Sequence, residues 1–322
     1  MTDPARGERV ELRTLDTETV DPAGSRLDRM SALELAAAMN AGDQGVAVAV
    51  AAHLTEIAAV VEAAAAALAD GGRLVYVGAG TAGRLGVLDA AECPPTFDTE
   101  PWQVQGHIAG GRDALVDAVE GAEDDSAAGA ALVTELHIGA GDVLVGISAS
   151  GRTPYAVGAV AAARLAGATT VGLSCSAGSE LGRAAEHPIE VVTGPEFVTG
   201  STRLRAGTAQ KLVLNMISTL SMVRLGKTLG NLMVDLRPTN AKLRARAVRI
   251  VSLATGEPEQ VAADLLESAG GVKPAIITGL TGVDPHVARD ELSAAGGRVR
   301  DVLDAHGAVP VTEAPAPPRG RP

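Results

Sequence analysis

The sequence predicts an α/β fold: a doubly wound parallel sheet with N-terminal helices before it and a small C-terminal helical subdomain after it. Three observations carry this. Short apolar runs alternate with helical patterns from residue 73 to residue 225, as in right-handed βαβ units. Hydrophobic residues make up 46% of the chain but aromatic ones only 2%, so the core is Ala, Val, Leu and Ile, which suits helices laid on a parallel sheet. Beyond residue 238 the pattern becomes purely helical. The expected organisation is an N-terminal arm and short helix over 1–44, the sheet domain over 45–238, the helical subdomain over 239–308 and a disordered, proline-rich tail over 309–322.

Taken in order, residues 1–28 are polar, carry Pro4, Pro22 and Gly24, and read as a loosely ordered arm. Ser31 followed by Glu34 is a capping-box pattern that opens a short helix over 30–39. Asp43 can cap a longer helix running to about residue 70. That helix is rich in alanine and apolar on more than one face, which makes it a plausible interface with a second subunit. Strands are expected at 73–78, 103–108, 142–147, 169–174 and 189–192, with helices at 83–90, 124–136, 154–166 and 202–225. The C-terminal helices fall at 240–253, 257–268 and 284–294, separated by glycine turns.

A formal charge of -12 argues against nonspecific nucleic-acid binding, which needs a basic face to displace counterions. The most apolar stretch, 53–68, is interrupted by Glu56 and Glu62 and falls short of a membrane span. No basic start followed by an apolar run marks a secretion signal, so the cytoplasm is the expected location. There, Cys93 and Cys175 are expected as reduced, interior thiols. The six histidines show no ligand spacing with cysteine or carboxylate, and no metal site is expected.

Three segments carry candidate chemistry. The first, from Arg73 to Phe97, is a strand entering a loop with Gly80, Thr81, Gly83 and Arg84, then a helix ending at Glu92 before the stiff Cys93-Pro94-Pro95. Unpaired backbone N–H groups and the helix dipole make such a loop an anion site. Its GAGTAG formally matches the dinucleotide fingerprint, but two prolines stand where that fold needs its next strand, which favours a simple phosphate loop. In the second segment a strand runs into Ser148-Ala149-Ser150-Gly151-Arg152-Thr153, and Pro154 opens the next helix. Ser148, Ser150 and Thr153 could cradle a phosphate monoester. In the third, Glu196, Arg203, Arg205 and Lys211 cluster around an otherwise apolar helix start and read as a site wall, while Ser201 and Thr202 could cap that helix.

Together, GAGTAGRLGVLDAAECPPTF, AVEGAEDD, ISASGRTPY, VTGSTRLRAGTAQKLVLNMIS and GNLMVDLRPTNAKLRARAVRI resemble the N-acetylmuramic acid 6-phosphate etherase family. The likeness runs in order from about residue 27 to residue 303. It implies a sugar isomerase (SIS) fold that binds a phosphosugar and a homodimer. It also implies a lyase that uses neither metal nor organic cofactor to remove D-lactate from N-acetylmuramate 6-phosphate in cell-wall recycling. The family's two functional carboxylates match Glu92 and Glu123, and the phosphate loop of related SIS proteins matches Ser148, Ser150 and Thr153. Gly80, Thr81, Gly83, Arg84, Glu196, Ser201 and Arg203 complete the candidate substrate-binding set. The chain departs from the family's usual GTSGR at Ala82 and has Arg205 where lysine is usual. Glu92, in the less polar run, is expected to be buried with a raised pKa and to act as the acid, with Glu123 the base or its assistant. A sugar-phosphate sensor on the same fold, or an aldose-ketose isomerase using Glu196 as base, are the competing readings.

Overall fold

The computed structural model describes residues 18–117, 119–236 and 240–311. The first 17 residues, most of the proline-rich tail and the expected boundary at Pro238 lie outside them. The described part of the arm folds into two short 3-10 turns, Pro22–Gly24 and Leu27–Arg29. The chain forms two compact units, one of residues 1–91 and 101–218, the other of residues 92–100 and 219–322.

In the first unit, helix α1 (Ala32–Ala51) opens on the expected capping box: the Glu34 N–H donates to Ser31 Oγ at 3.4 Å, and the Ser31 N–H to the Glu34 carboxylate at 2.7 Å. The helix does not stop before Asp43. It runs through that residue, breaks at Ala52 and His53, and resumes as α2 (Leu54–Ala69). Asp43 had good cap chemistry, but the helix already begun at Ala32 continues through it in spite of Gly42 and Gly45, with Val46 and Val50 buried beyond it.

Strand β1 (Leu74–Gly78), helix α3 (Gly80–Phe97), strand β2 (Val104–Ile108), helix α4 (Ser126–Glu135) and strand β3 (Val143–Ser148) follow. Then come helix α5 (Pro154–Leu165), strand β4 (Thr169–Ser174), helix α6 (Glu180–Ala184), strand β5 (His187–Glu190) and helix α7 (Arg205–Arg224). The five strands are all parallel, in the order β2-β1-β3-β4-β5. Every residue of β1 and β3 is buried, as expected of central strands covered on both faces. On one face Val75, Val77 and Leu144 pack with Tyr155, Ala159 and Val160 of α5. On the other, Gly86 of α3 lies so close that a Cβ there would stand 2.9 Å from Tyr76 Cβ. At the N-terminal edge of the sheet, the Arg73 guanidinium binds Asp142 through two hydrogen bonds of 2.9 and 2.7 Å. Burial pulls the Asp142 carboxyl up, but the bonds from Arg73 and the Gly139 N–H outweigh it and hold it below the usual carboxylate range.

Chain order reverses between β1 and β3: the connection from β1 leads outward to β2, and the one from β3 leads the other way to β4. Ligands of such sheets bind in the crevice at the carboxyl ends of the strands flanking that reversal. The loops after β1 and β3 stand there, with Gly78 paired in register to Ile147.

The second unit holds a two-residue hairpin, β6 (Thr228–Leu229) and β7 (Leu232–Met233), and helices α8 (Ala241–Thr255), α9 (Glu259–Ala269), α10 (Val272–Thr281), α11 (Pro285–Ala294) and α12 (Val299–Ala305). Ala247, Val251, Ile276, Ile277 and Leu303 form its buried core. The sequence pattern had shown three of these helices. Helices α10 and α12 were missed because Pro274 inside one and the short length of the other weaken the periodicity. Buried Lys273 sits 2.6 Å from Asp235 and donates to the Gly297 carbonyl; burial nevertheless leaves its pKa below the usual lysine value. Among the described residues, no single helix is long and apolar enough to cross a membrane.

Candidate active site

The loop after β3 is built around one buried hydroxyl. Ser148 is 2% exposed; its Oγ accepts the Gly151 N–H at 3.0 Å and lies 2.7 Å from Thr153 Oγ1 and 3.4 Å from Ser150 Oγ. Gly151 turns the chain with φ +66°, and a Cβ there would stand 2.3 Å from Ser179 Cβ, so both conformation and space require glycine. Thr153 occupies the N-cap position of α5, yet its side chain caps no N–H of the helix. The hydroxyl is turned to Ser148 instead, which leaves the first-turn donors of α5 without a side-chain acceptor.

The loop after β1 works through backbone. Helix α3 begins at Gly80, which has φ +51°. A Cβ on Gly83 would stand 2.7 Å from the Gly78 carbonyl oxygen, so Gly83 serves the close packing of helix on strand. The Arg84 guanidinium donates to the carbonyls of Leu115 and Ala114 at 3.0 and 2.7 Å. It thereby holds the turn over 112–115 and walls an adjoining cavity of about 310 Å³ with Gly80, Glu120 and Glu123.

Between the two loops lies a cavity of about 300 Å³. Gly80, Thr81, Ser148, Ser150, Thr153 and Glu123 border it. Glu123 itself is exposed, in a 3-10 turn at Ala122–Asp124 just before α4. Glu18, Gly200, Thr202 and Gln210 also line it, together with Ala79, Ala82 and Ala149. Glu18 had been assigned to a loosely ordered arm. Gln210 carried a legible signal: it is the one amide on a helix face formed by the buried Ala206, Ala209 and Val213.

Other expectations are corrected. Glu92 is exposed, and α3 does not end there but continues through Pro94 and Pro95 to Phe97. Prolines lack the N–H that would pair with carbonyls four residues back, yet their fixed φ suits the helix, so one last turn survives. The buried setting proposed for Glu92 from its apolar neighbours is therefore absent, because side chains of adjacent helical residues point to different faces. Glu196 is 1% exposed, and its two oxygens accept the N–H groups of Arg205 and Ala206, each at 2.9 Å. It caps α7, and each of its oxygens already holds one backbone N–H. Arg205 donates to the Pro195 carbonyl at 2.6 Å and packs against Gly42 of α1. Arg203 and Lys211 are exposed, and Ser201, half-buried, stands between the two cavity residues Gly200 and Thr202 without bordering the cavity. Cys93 and Cys175 are buried, as expected; burial and the neighbouring Glu196 push the Cys175 thiol up to about 12.

A parallel sheet in the order β2-β1-β3-β4-β5 is a doubly wound fold, and the domain profiles make it one of the SIS class. The SIS domain profile matches residues 125–220, and that of the glucokinase regulatory protein N-terminal SIS domain matches residues 56–164. A solved structure described as E. coli CFT073 c3406 in complex with A5P matches weakly, with a TM-score of 0.44 and 16% identity over 61% of this chain and 94% of its own. Similarity to the N-acetylmuramic acid 6-phosphate etherases is far closer. The Streptomyces avermitilis enzyme of that name is 57% identical over 93% of this chain and 97% of its own length. That of Rubrobacter xylanophilus is 56% identical over 91% and 97%. That of Halalkalibacterium halodurans is 53% identical over 91% and 98%. The chain belongs to the N-acetylmuramic acid 6-phosphate etherase family and is an enzyme, a carbon–oxygen lyase.

Proposed function

We propose that the protein removes D-lactate from N-acetylmuramic acid 6-phosphate and yields N-acetylglucosamine 6-phosphate, a step of peptidoglycan recycling. The observation that carries this is the shared cavity: the Ser148, Ser150 and Thr153 cradle at the start of α5 borders the same space as the Glu123 carboxylate. The cradle takes the 6-phosphate through hydroxyls and first-turn N–H groups. Glu123 is then the carboxylate nearest C2 and C3 of the sugar in this reading.

In the open-chain sugar the C2 hydrogen is acidified by the C1 aldehyde, and the lactyl ether leaves from C3. A carboxylate takes the C2 proton, the C3–O bond breaks with protonation of the departing oxygen, and a C2=C3 double bond remains. Water then adds, its hydroxyl to C3 and a proton to C2. Each positioned acid or base contributes about 100-fold to 10,000-fold to such steps. Glu123 is the candidate base. Glu92, exposed, is the candidate acid, and its exposure leaves it able to serve the cavity of a second copy in a homodimer. The capping role of Glu196 weighs against an isomerase that would use it as base.

Incubation with N-acetylmuramic acid 6-phosphate and assay of free D-lactate tests the reading. Wild-type protein is expected to release lactate, and Glu123→Gln to release it at least about 100-fold more slowly. Absence of lactate from the wild type would leave a phosphosugar sensor as the better description. Glu92→Ala at the wild-type rate removes Glu92 from the mechanism.

A further inference from the structure

Gln210 is 1% exposed, borders the cavity, and its Nε2 is buried with no hydrogen-bond partner among the described residues. Leaving such a donor unpaired costs more than the hydrogen bond it forgoes, so a buried amide kept in this state points to a partner from outside the chain. Its neighbourhood indicates which partner. A Cβ on Gly207, three residues earlier on α7, would stand 3.5 Å from Thr81 Cγ2 in the first turn of α3, so this face of α7 lies beside that helix start.

Among the described residues the cavity lining includes Glu18 and Glu123 but no lysine or arginine. An anion held here must therefore be met by neutral donors. Their number is limited, because the hydroxyls of Ser148 and Thr153 share a hydrogen bond, so one of the two protons is already used within the protein. We propose that Gln210 is a phosphate-binding residue whose Nε2 donates to a phosphate-monoester oxygen of the bound sugar. The broad χ3 well of glutamine lets the amide turn its N–H toward the ligand at little cost. The inference rests on reading this cavity as a phosphosugar site, and not on the lyase chemistry.

Calorimetric titration with N-acetylglucosamine 6-phosphate, and separately with inorganic phosphate, tests it on wild type, Gln210→Met and Gln210→Glu. Gln210→Met removes the unpaired donor while keeping the side chain's length. It is expected to melt at or above the wild-type temperature without ligand and to bind both probes about tenfold or more weakly. Gln210→Glu guards against a folding defect in the first variant: binding should fall further, and increasingly so as pH rises and the introduced carboxyl ionises. Wild-type affinity in Gln210→Met, or pH-independent affinity equal to wild type in Gln210→Glu, overturns the assignment alone. Failure of the wild type to bind either probe overturns the phosphosugar reading and this inference with it.

Discussion

Strand β1 enters α3 through Ala79 alone, and strand β3 enters α5 through residues 149–153, yet the two junctions divide their work differently. After β1 the side chains are nearly gone. Gly83 lies against the Gly78 carbonyl, Gly86 lies against Tyr76, and Ala82 has no hydroxyl to offer. After β3 the loop holds three hydroxyls joined through Ser148 Oγ, and a single glycine makes the turn. The first junction thus brings a helix N-terminus close to the crevice, and the second supplies the polar atoms that a ligand would meet. A sequence motif of three glycines looks more like a ligand signature than a run of serines does, but here Gly78 and Gly83 serve packing, while Gly80 turns the chain with φ +51° and borders the cavity.

Substitutions should separate the two roles. The largest effect on activity is expected from Ser148→Ala, which strips the hub from the hydroxyl loop and leaves the Gly151 N–H without its acceptor. The expected loss is roughly 100-fold in kcat/KM toward N-acetylmuramic acid 6-phosphate, with a fall in Tm of only a few degrees. A large loss of stability with normal kcat/KM would mean that this loop, too, is mainly scaffold. Gly83→Ala should do the reverse. Its Cβ would be forced against backbone, costing about 1–3 kcal/mol in chemical denaturation while the folded fraction keeps its KM. A raised KM with unchanged stability would reassign Gly83 to the ligand.

The smallest effect lies away from both loops and sets the baseline for them. Burial keeps the His107 pKa below its ordinary 6.5, so the unfolded chain binds more protons and the stability this provides is complete only above that value. It is lost as pH falls through the lower, folded pKa. The Asp142 carboxyl, held below 3.8, adds stability that disappears at still lower pH. The urea midpoint should therefore fall on acidification from pH 7 toward pH 5, and His107→Gln should flatten that part of the profile. An unchanged slope in the variant would remove His107 as its source.

Much of the sheet was legible because a parallel strand buried on both faces leaves a largely apolar run, as in 74–77 and 143–147. The Ser31 and Glu34 box was legible for the same local reason, since both its hydrogen bonds lie within four residues. Exposure of Glu92 was not, because the neighbours of a helical residue in sequence are not its neighbours in space, and two prolines read as a stop where the helix continues. Nor was the occupation of Glu196 legible, since a carboxylate that caps a helix nine residues away resembles one that lines a site. Gln210 was legible as the one amide on the Ala206, Ala209 and Val213 face of α7, but its place at the cavity was not.

Elimination followed by water addition, with a carboxylate removing the C2 proton, has one direct signature. When N-acetylmuramic acid 6-phosphate is turned over in deuterium oxide, the N-acetylglucosamine 6-phosphate formed should carry deuterium at C2, and Glu123→Gln should slow its appearance in step with lactate release. Product bearing only hydrogen at C2 would contradict removal of that proton and, with it, the place given to Glu123 at the rim of the cavity.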